Sequence, residues 1–218
     1  MKKTILLGLA MAALNAGAAL SWNSVTLNSV VPDNNTNGWV NSTLISGQSG
    51  TIQGGSLQVS LNLTGGWNGD LYAYLVNSSG GFVVLLDRVG TGDVGGFGYG
   101  DAGMNVTLSA TGENGSIHSY GGNMVFSGIP TGAYTPDSSA TTTPSGSLSS
   151  FVNPNGTWSL FIADLNGGGV TTVQSWGLQM DIVAVPEVET WIAAALAGAF
   201  GAFWVNRQIW GSKGTQNR

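Results

Sequence analysis

Apolar residues that alternate with polar ones dominate the middle of the chain, residues 22–184. Between Ser56 and Leu63, every second residue from Leu57 onward is apolar and falls on one face of an extended chain. Alternation with a period of two is typical of a strand with one buried face. No window of this region has the period of about 3.6 residues that marks an amphipathic helix. The pattern therefore predicts an all-β domain.

Glycine and asparagine separate the predicted strands. The segment Asn77–Gly81 predicts a hairpin turn, Asn153–Gly156 a turn before a strand, and residues 131–150, rich in serine, threonine, proline and glycine, a long loop. Regular short strands between such turns predict an antiparallel β-sandwich, jelly-roll-like, over residues 20–184. The predicted strands are Ser56–Leu63, Asp70–Val76, Gly81–Leu86, Thr157–Ala163 and Val173–Ile182.

The charge of this region narrows the range of partners. Nine acidic residues and one basic residue, Arg88, lie between Trp22 and Ala184. One cation cannot neutralise a phosphate backbone, so nucleic acid and anionic membrane surfaces are excluded as partners. The acidity favours a cation, calcium first. The chain has no cysteine, so disulfides and thiolate chemistry are excluded.

Both ends of the chain carry targeting signals. Residues 1–19 have a basic start, a short apolar run and small residues, which predicts a signal peptide cleaved after Ala18 or Ala19 rather than an anchor helix. Residues 190–205 are uncharged, follow two glutamates and precede basic residues. This run predicts a transmembrane segment with its carboxyl end in the cytoplasm, although a buried core helix is the alternative for so short a run.

The carboxyl-terminal segment, residues 185–218, resembles a PEP-CTERM sorting tail. The similarity lies in Val185, Pro186 and Glu187, the apolar span, and the basic end that includes Arg207. It implies recognition by an exosortase-type processing enzyme, at least transient insertion in the inner membrane, and delivery to the envelope or extracellular matrix of a Gram-negative bacterium. A plain single-span anchor is the alternative.

Residues 66–183 resemble the P domain, the β-sandwich that follows the catalytic domain of subtilisin-like proprotein convertases. The resemblance implies a non-catalytic domain that stabilises a neighbouring protease, and this chain contains no such protease. The matching residues are Gly69-Asp70-Leu71, Leu75, Leu85-Leu86, Tyr134–Pro136, Leu148–Phe151, Asn155–Leu160, Asp164 and Ser175–Leu178.

Four carboxylates are candidate calcium ligands. Asp87, Asp93 and Asp101 lie in one glycine-rich segment, and Asp164 is followed closely by Asn166. Glycines let backbone carbonyls turn toward a cation, and calcium takes roughly six to eight oxygens. The alternative is a set of solvated acids, with Arg88 paired to a neighbouring carboxylate.

Aromatic residues and the single histidine are the remaining candidates. Trp39 and Trp67 lie in glycine- and asparagine-rich segments and could stack on sugar rings, with burial as the alternative; Trp158 and Trp176 match core positions of the P domain. We expect His118 to be an exposed loop residue without catalytic partners. The chain is therefore predicted to be a secreted, non-catalytic envelope or matrix protein, structural or adhesive in an exopolysaccharide layer. The alternatives are a carbohydrate-binding module and a protease-associated accessory domain.

Overall fold

The computed structural model describes residues 17–137 and 146–185, together with Leu196. The chain divides into two compact units, Met1–Ala184 and Val185–Arg218. The predicted leader up to residue 16, the sorting residues Pro186, Glu187 and Arg207, and the predicted span 190–205 apart from Leu196 lie outside the described residues. Within the described part, no helix is long and apolar enough to cross a membrane.

The described part of the first unit is all-β, as predicted, and its strands form two sheets. The described strands are β1 (Ala18–Asn23), β2 (Ser29–Val30), β3 (Asn35–Ile45), β4 (Thr51–Ile52), β5 (Gln58–Gly65), β6 (Leu71–Asn77), β7 (Phe82–Asp87), β8 (Gly103–Ser109), β9 (Thr131–Tyr134), β10 (Gly156–Asp164) and β11 (Thr171–Val183). Sheet A has the order β1-β11-β5-β8-β9, and the short strands β2 and β4 also pair with β11. Sheet B has the order β3-β10-β6-β7.

The hydrophobic core lies between the two sheets and contains inward-facing residues of both. Trp158 and Trp176 are fully buried there, as predicted. The indole Nε1 of Trp176, in sheet A, donates to Asn41 Oδ1 of sheet B at 2.8 Å. Trp158 Nε1 donates to the Pro154 carbonyl at 2.9 Å. Both polar indole atoms are therefore satisfied, which a buried tryptophan requires.

Each of the five strands predicted from the sequence is present, and its ends differ from the prediction by at most two residues. The predicted hairpin at Asn77–Gly81 is confirmed, because Val76 pairs with Phe82 across it. The prediction of a continuous loop over residues 131–150 is wrong. Thr131–Tyr134 forms β9, which pairs with β8 in parallel, whereas the other strand pairs are antiparallel.

β11 contains a bulge that corrects the predicted alternation. Strict alternation along this strand would put Val173 and Trp176 on opposite faces, but both side chains are buried. Val173 pairs with Leu63 and Ser175 with the adjacent Asn62, so one extra residue is accommodated between them. A bulge of this kind shifts the facing of every residue beyond it. The strand thereby keeps apolar residues inward along its whole length.

The connections at one end of the sandwich contain most of its carboxylates. Strand register brings Gly65 beside Thr171 in sheet A and Leu71 beside Asp164 in sheet B, so the turns at these positions share an end. We call this the acidic end and define it by residues 31–34, 66–70, 88–102 and 164–170. The chain enters β1 and leaves β11 at the opposite end, where Ala18 pairs with Ile182.

Candidate functional site

The acidic end is held together by backbone contacts between the turn at residues 68–70 and the segment 97–101. Asn68 N–H donates to the Asp101 carbonyl at 2.9 Å, and Gly69 N–H donates to the Tyr99 carbonyl at 2.8 Å. A Cβ on Gly69 would collide with the carbonyl oxygen of Phe97 and approach the Tyr99 nitrogen. Only glycine allows this approach, which explains the glycine of the Gly69-Asp70-Leu71 segment.

Asp101, a predicted calcium ligand, is buried and already surrounded by protein donors. Its carboxylate accepts from Ser127 N–H and Oγ–H at 3.0 Å, from Gly128 N–H at 2.8 Å and from the Tyr120 hydroxyl at 3.0 Å. Burial and the charge of Asp101 raise the pKa of Tyr120 far above its usual value, so this hydroxyl remains a donor. Asp101 therefore fastens the segment at residues 120–128 to the acidic end.

Asp87 and Asp93, the other predicted ligands of this segment, have different hydrogen-bond partners. Asp93 is exposed and accepts from Ser119 Oγ–H at 2.6 Å. Asp87 ends β7, and its N–H donates to Asp137 Oδ2 at 2.9 Å. The described residues contain no group of three histidine, cysteine, aspartate or glutamate side chains that could hold a metal ion. The four predicted ligands are thus not brought together as one such group.

Asp164, the fourth predicted ligand, lies beside a carboxylate that the sequence did not single out. Asp70 and Asp164 are 2% and 0% exposed. Asn166 bridges them, because its backbone N–H donates to Asp164 Oδ1 at 3.3 Å and its Nδ2 donates to Asp70 Oδ1 at 2.8 Å. Burial raises the pKa of Asp164 to about 6; the Asn166 N–H lowers it, and the charges of Asp70 and Asp33 raise it further.

Arg88 does not neutralise this pair. Its Nε donates to the Gly69 carbonyl at 3.4 Å and its Nη2 to the Gly96 carbonyl at 3.2 Å. Its backbone φ is +51°, a left-handed conformation that is uncommon for a residue with a side chain. The Arg88 guanidinium therefore links two loops of the acidic end by donating to their backbone carbonyls.

His118 corrects the expectation of an exposed loop residue, because it is only 5% exposed. It lies in a 3-10 turn, Ile117–Ser119, and its backbone N–H donates to the Ser116 hydroxyl oxygen at 3.2 Å. Its Nδ1 is 2.9 Å from Asp137 Oδ2 and its Nε2 is 3.1 Å from the Thr91 carbonyl oxygen. Both neighbours are acceptors, so the ring is satisfied on both sides only when both nitrogens are protonated.

The surroundings favour that charged form of His118. Burial lowers its pKa, but the hydrogen bond and charge of Asp137, with the Thr91 carbonyl, raise it more, so the pKa lies above its usual value. A general base needs a free lone pair directed at its substrate. In this structure Nε2, the atom that would meet a serine hydroxyl in a catalytic triad, faces a backbone carbonyl instead.

The two candidate sugar-binding tryptophans differ in exposure. Trp39 lies within β3, not in a loop, and is partly buried against the core. Trp67 lies at the acidic end, is 45% exposed, and rests one ring edge on Gly168, where an added Cβ would lie 3.1 Å from the ring. Phe97 and Phe126, which the sequence analysis did not single out, are 76% and 71% exposed. Their positions in glycine-rich segments were the available signal.

Comparisons with known proteins do not identify a family for this chain. No family model matches the sequence, and no curated protein matches it. Among solved structures, the chain is similar to the complex of an Aeromonas sobria serine protease with the chaperone, with a TM-score of 0.44, 14% identity, and coverage of 80% of this chain and 28% of that chain. It is also similar to the serine protease of Aeromonas sobria, with a TM-score of 0.39, 13% identity, and coverage of 79% and 28%. The chain thus spans 28% of the length of these proteins, and a likeness at this level says nothing of function.

Proposed function

We propose that the protein is a secreted, non-catalytic β-sandwich of the bacterial envelope or extracellular matrix, with a structural or adhesive role in an exopolysaccharide layer. The observation that supports a non-catalytic role most directly is the state of His118. It is the one histidine of the chain, and both of its ring nitrogens are engaged by Asp137 and Thr91. The chain also has no cysteine to act as a nucleophile.

Export and sorting rest on the two ends of the sequence. The leader directs secretion, and the tail around Val185, Pro186, Glu187 and Arg207 is the substrate of an exosortase-type enzyme at the inner membrane. The intact mass of the protein recovered from its native cells tests both steps. We expect the first 18 or 19 residues to be missing and the tail to be shortened. Full-length protein in the cytosol would refute the proposal.

A variant separates sorting from export. Substitution Pro186→Ala alters the sorting motif but leaves the leader unchanged. We expect the variant to lose its leader and keep its tail, and therefore to stay in the membrane fraction. If the wild type also keeps its tail, the segment is a plain anchor and exosortase processing is refuted.

Carbohydrate binding is the second candidate, and Trp67 favours it. An exposed indole that is supported by glycine backbone offers a flat apolar face, which is the surface on which pyranose rings stack. Co-sedimentation with the exopolysaccharide of the native cells tests this role. We expect Trp67→Ala to lose binding, whereas Val40→Ala, at a position that is 57% exposed on β3, retains it. Equal binding by both variants would remove Trp67 from the proposal.

A further inference from the structure

Buried side-chain oxygens without a partner occur at the acidic end. Among the residues that the structure describes, no hydrogen-bond partner reaches Asp164 Oδ2 or Asn68 Oδ1 at this end, or Thr171 Oγ1 at the adjoining start of β11. Asp164, Asn68 and Thr171 are each 0% exposed. Thr91 Oγ1 is a fourth such atom, and it belongs to the residue whose carbonyl contacts His118. Burying an oxygen without a partner costs free energy, and native proteins leave few such atoms. Their occurrence in neighbouring connections of one end indicates that a ligand supplies what the chain does not.

Strand register shows where the Asp164 carboxylate points. Asp164 pairs with Leu71 across β10 and β6, and paired residues project from the same face of a sheet. Leu71 is fully buried in the core, so Asp164 points inward, into the mouth of the sandwich. Thr171, the first residue of β11, is buried at the same end of the facing sheet.

Asp70 joins this site from the turn that closes the mouth. The Leu165 N–H donates to the Asp70 carbonyl at 2.9 Å, which fixes the start of β6 against the connection after β10. Asn166 then bridges the carboxylates of Asp70 and Asp164 through its backbone N–H and its side-chain amide. Two buried carboxylates therefore share one asparagine as their hydrogen-bond donor.

The charge of this pair is not balanced by a side chain of the described residues. Arg88 donates to the carbonyls of Gly69 and Gly96, and the ion pair between His118 and Asp137 involves neither acid. Asp33 lies near enough to add to the negative potential. Buried charges are stable only when they are paired or coordinate a cation.

We propose that Asp70 and Asp164 bind a calcium ion at the acidic end, assisted by neutral oxygens of Asn166 and the adjacent backbone. Calcium accepts carboxylate, amide, hydroxyl and carbonyl oxygens in flexible geometry, and two carboxylates balance its charge. The glycines at residues 167–169 allow the connection to bend around the ion. Magnesium is a poorer fit because it requires a small octahedral shell. The proposed site is distinct from the segment at residues 87–101, where both carboxylate oxygens of Asp101 already accept hydrogen bonds from the protein.

Terbium luminescence and thermal unfolding of the purified full chain test the proposal. Terbium replaces calcium, and Trp67, next to Asn68 in sequence and in contact with Gly168, can transfer excitation energy to it. Extracellular calcium modules bind with dissociation constants of about 10⁻⁴–10⁻³ M, so about 10 mM calcium should saturate the site. We expect tryptophan-sensitised terbium emission that calcium displaces, and a midpoint of unfolding that calcium raises by a few degrees and magnesium raises less.

Variants locate the ion. Asp164→Asn and Asp70→Asn preserve shape but remove one charge each, so both should fold without calcium and lose the calcium-induced rise. Asp93→Asn, an exposed acid of the same end, is the matched control and should keep the full rise. An unchanged wild-type midpoint without terbium emission would overturn the proposal. A calcium response that survives in Asp164→Asn, or that disappears in Asp93→Asn, would also overturn it.

Discussion

The buried pair of His118 and Asp137 gives the sharpest prediction about stability. Substitution His118→Ala removes a ring that is 5% exposed and that pairs with the buried carboxylate of Asp137, which then keeps the Asp87 N–H but loses its histidine. The Thr91 carbonyl also loses its donor. Removing one member of a buried ion pair costs about 3–5 kcal/mol. For a domain of this size, that loss corresponds to a fall of roughly 6–20 °C in the midpoint of thermal unfolding.

The dependence on pH follows from the raised pKa of His118. A histidine whose pKa is higher in the folded state stabilises the fold fully below its unfolded pKa of about 6.5. That contribution is lost as the pH rises through the folded pKa. The free energy of unfolding of the wild type should therefore fall above about pH 6.5, and His118→Ala should lack this component.

Urea unfolding of the two single variants and the double variant measures the pair directly. The cycle comprises His118→Ala, Asp137→Ala and both together. The double variant should lose less than the sum of the singles, by about 0.5–3 kcal/mol, because the second substitution removes a group that has already lost its partner. Single losses below about 1 kcal/mol that add without coupling, with an unaltered pH profile, would refute the interpretation.

Three further outcomes follow from the packing. Gly69→Ala should lower the free energy of unfolding by about 1–3 kcal/mol because its Cβ meets backbone, whereas Gly54→Ala, with nothing within 4 Å, should change it by less than about 0.5 kcal/mol in chemical denaturation. Trp176→Phe should lower the free energy of unfolding by about 1–3 kcal/mol in the same assay because Asn41 loses its donor. An unchanged free energy would show that this inter-sheet hydrogen bond does not stabilise the core. Leu44→Lys, at a position 69% exposed on edge strand β3 of the described sheet B, should change the free energy of unfolding by less than about 0.5 kcal/mol, and a larger loss would show that this side chain packs against the domain.

The sequence predicts the parts of the fold that depend on local alternation. The core strands β5, β6, β10 and β11 follow from it because inward and outward residues alternate along most of each one, whereas β7 follows from a continuous apolar run that is buried along its middle. β8 carries the same signal in Met104, Val106 and Leu108, so this strand could have been predicted in the same way. β9 carries no such signal. Its glycine- and threonine-rich sequence becomes a strand only because β8 offers it an edge, and that is a tertiary effect.

The candidate site was predicted less well because it depends on contacts between distant segments. Asp164 was named from the sequence as a candidate ligand, but its neighbour Asp70 lies within a predicted strand and gave no separate signal. The burial of His118 is likewise invisible in a segment rich in glycine and serine. Its two partners, Thr91 and Asp137, come from separate connections that only the folded sandwich brings together.

The position of β11 has a consequence for the order in which the domain can fold. This strand is the last of the sandwich, yet β1, β2, β4 and β5 all pair with it. Contacts between residues so distant in sequence close slowly, because a long loop must lose its entropy before the pairs form. The β6–β7 hairpin can form early, but β1 and β5 keep bare edges until β11 has been synthesised. A nascent or truncated chain that stops before Thr171 would therefore expose unpaired strands to aggregation and proteolysis.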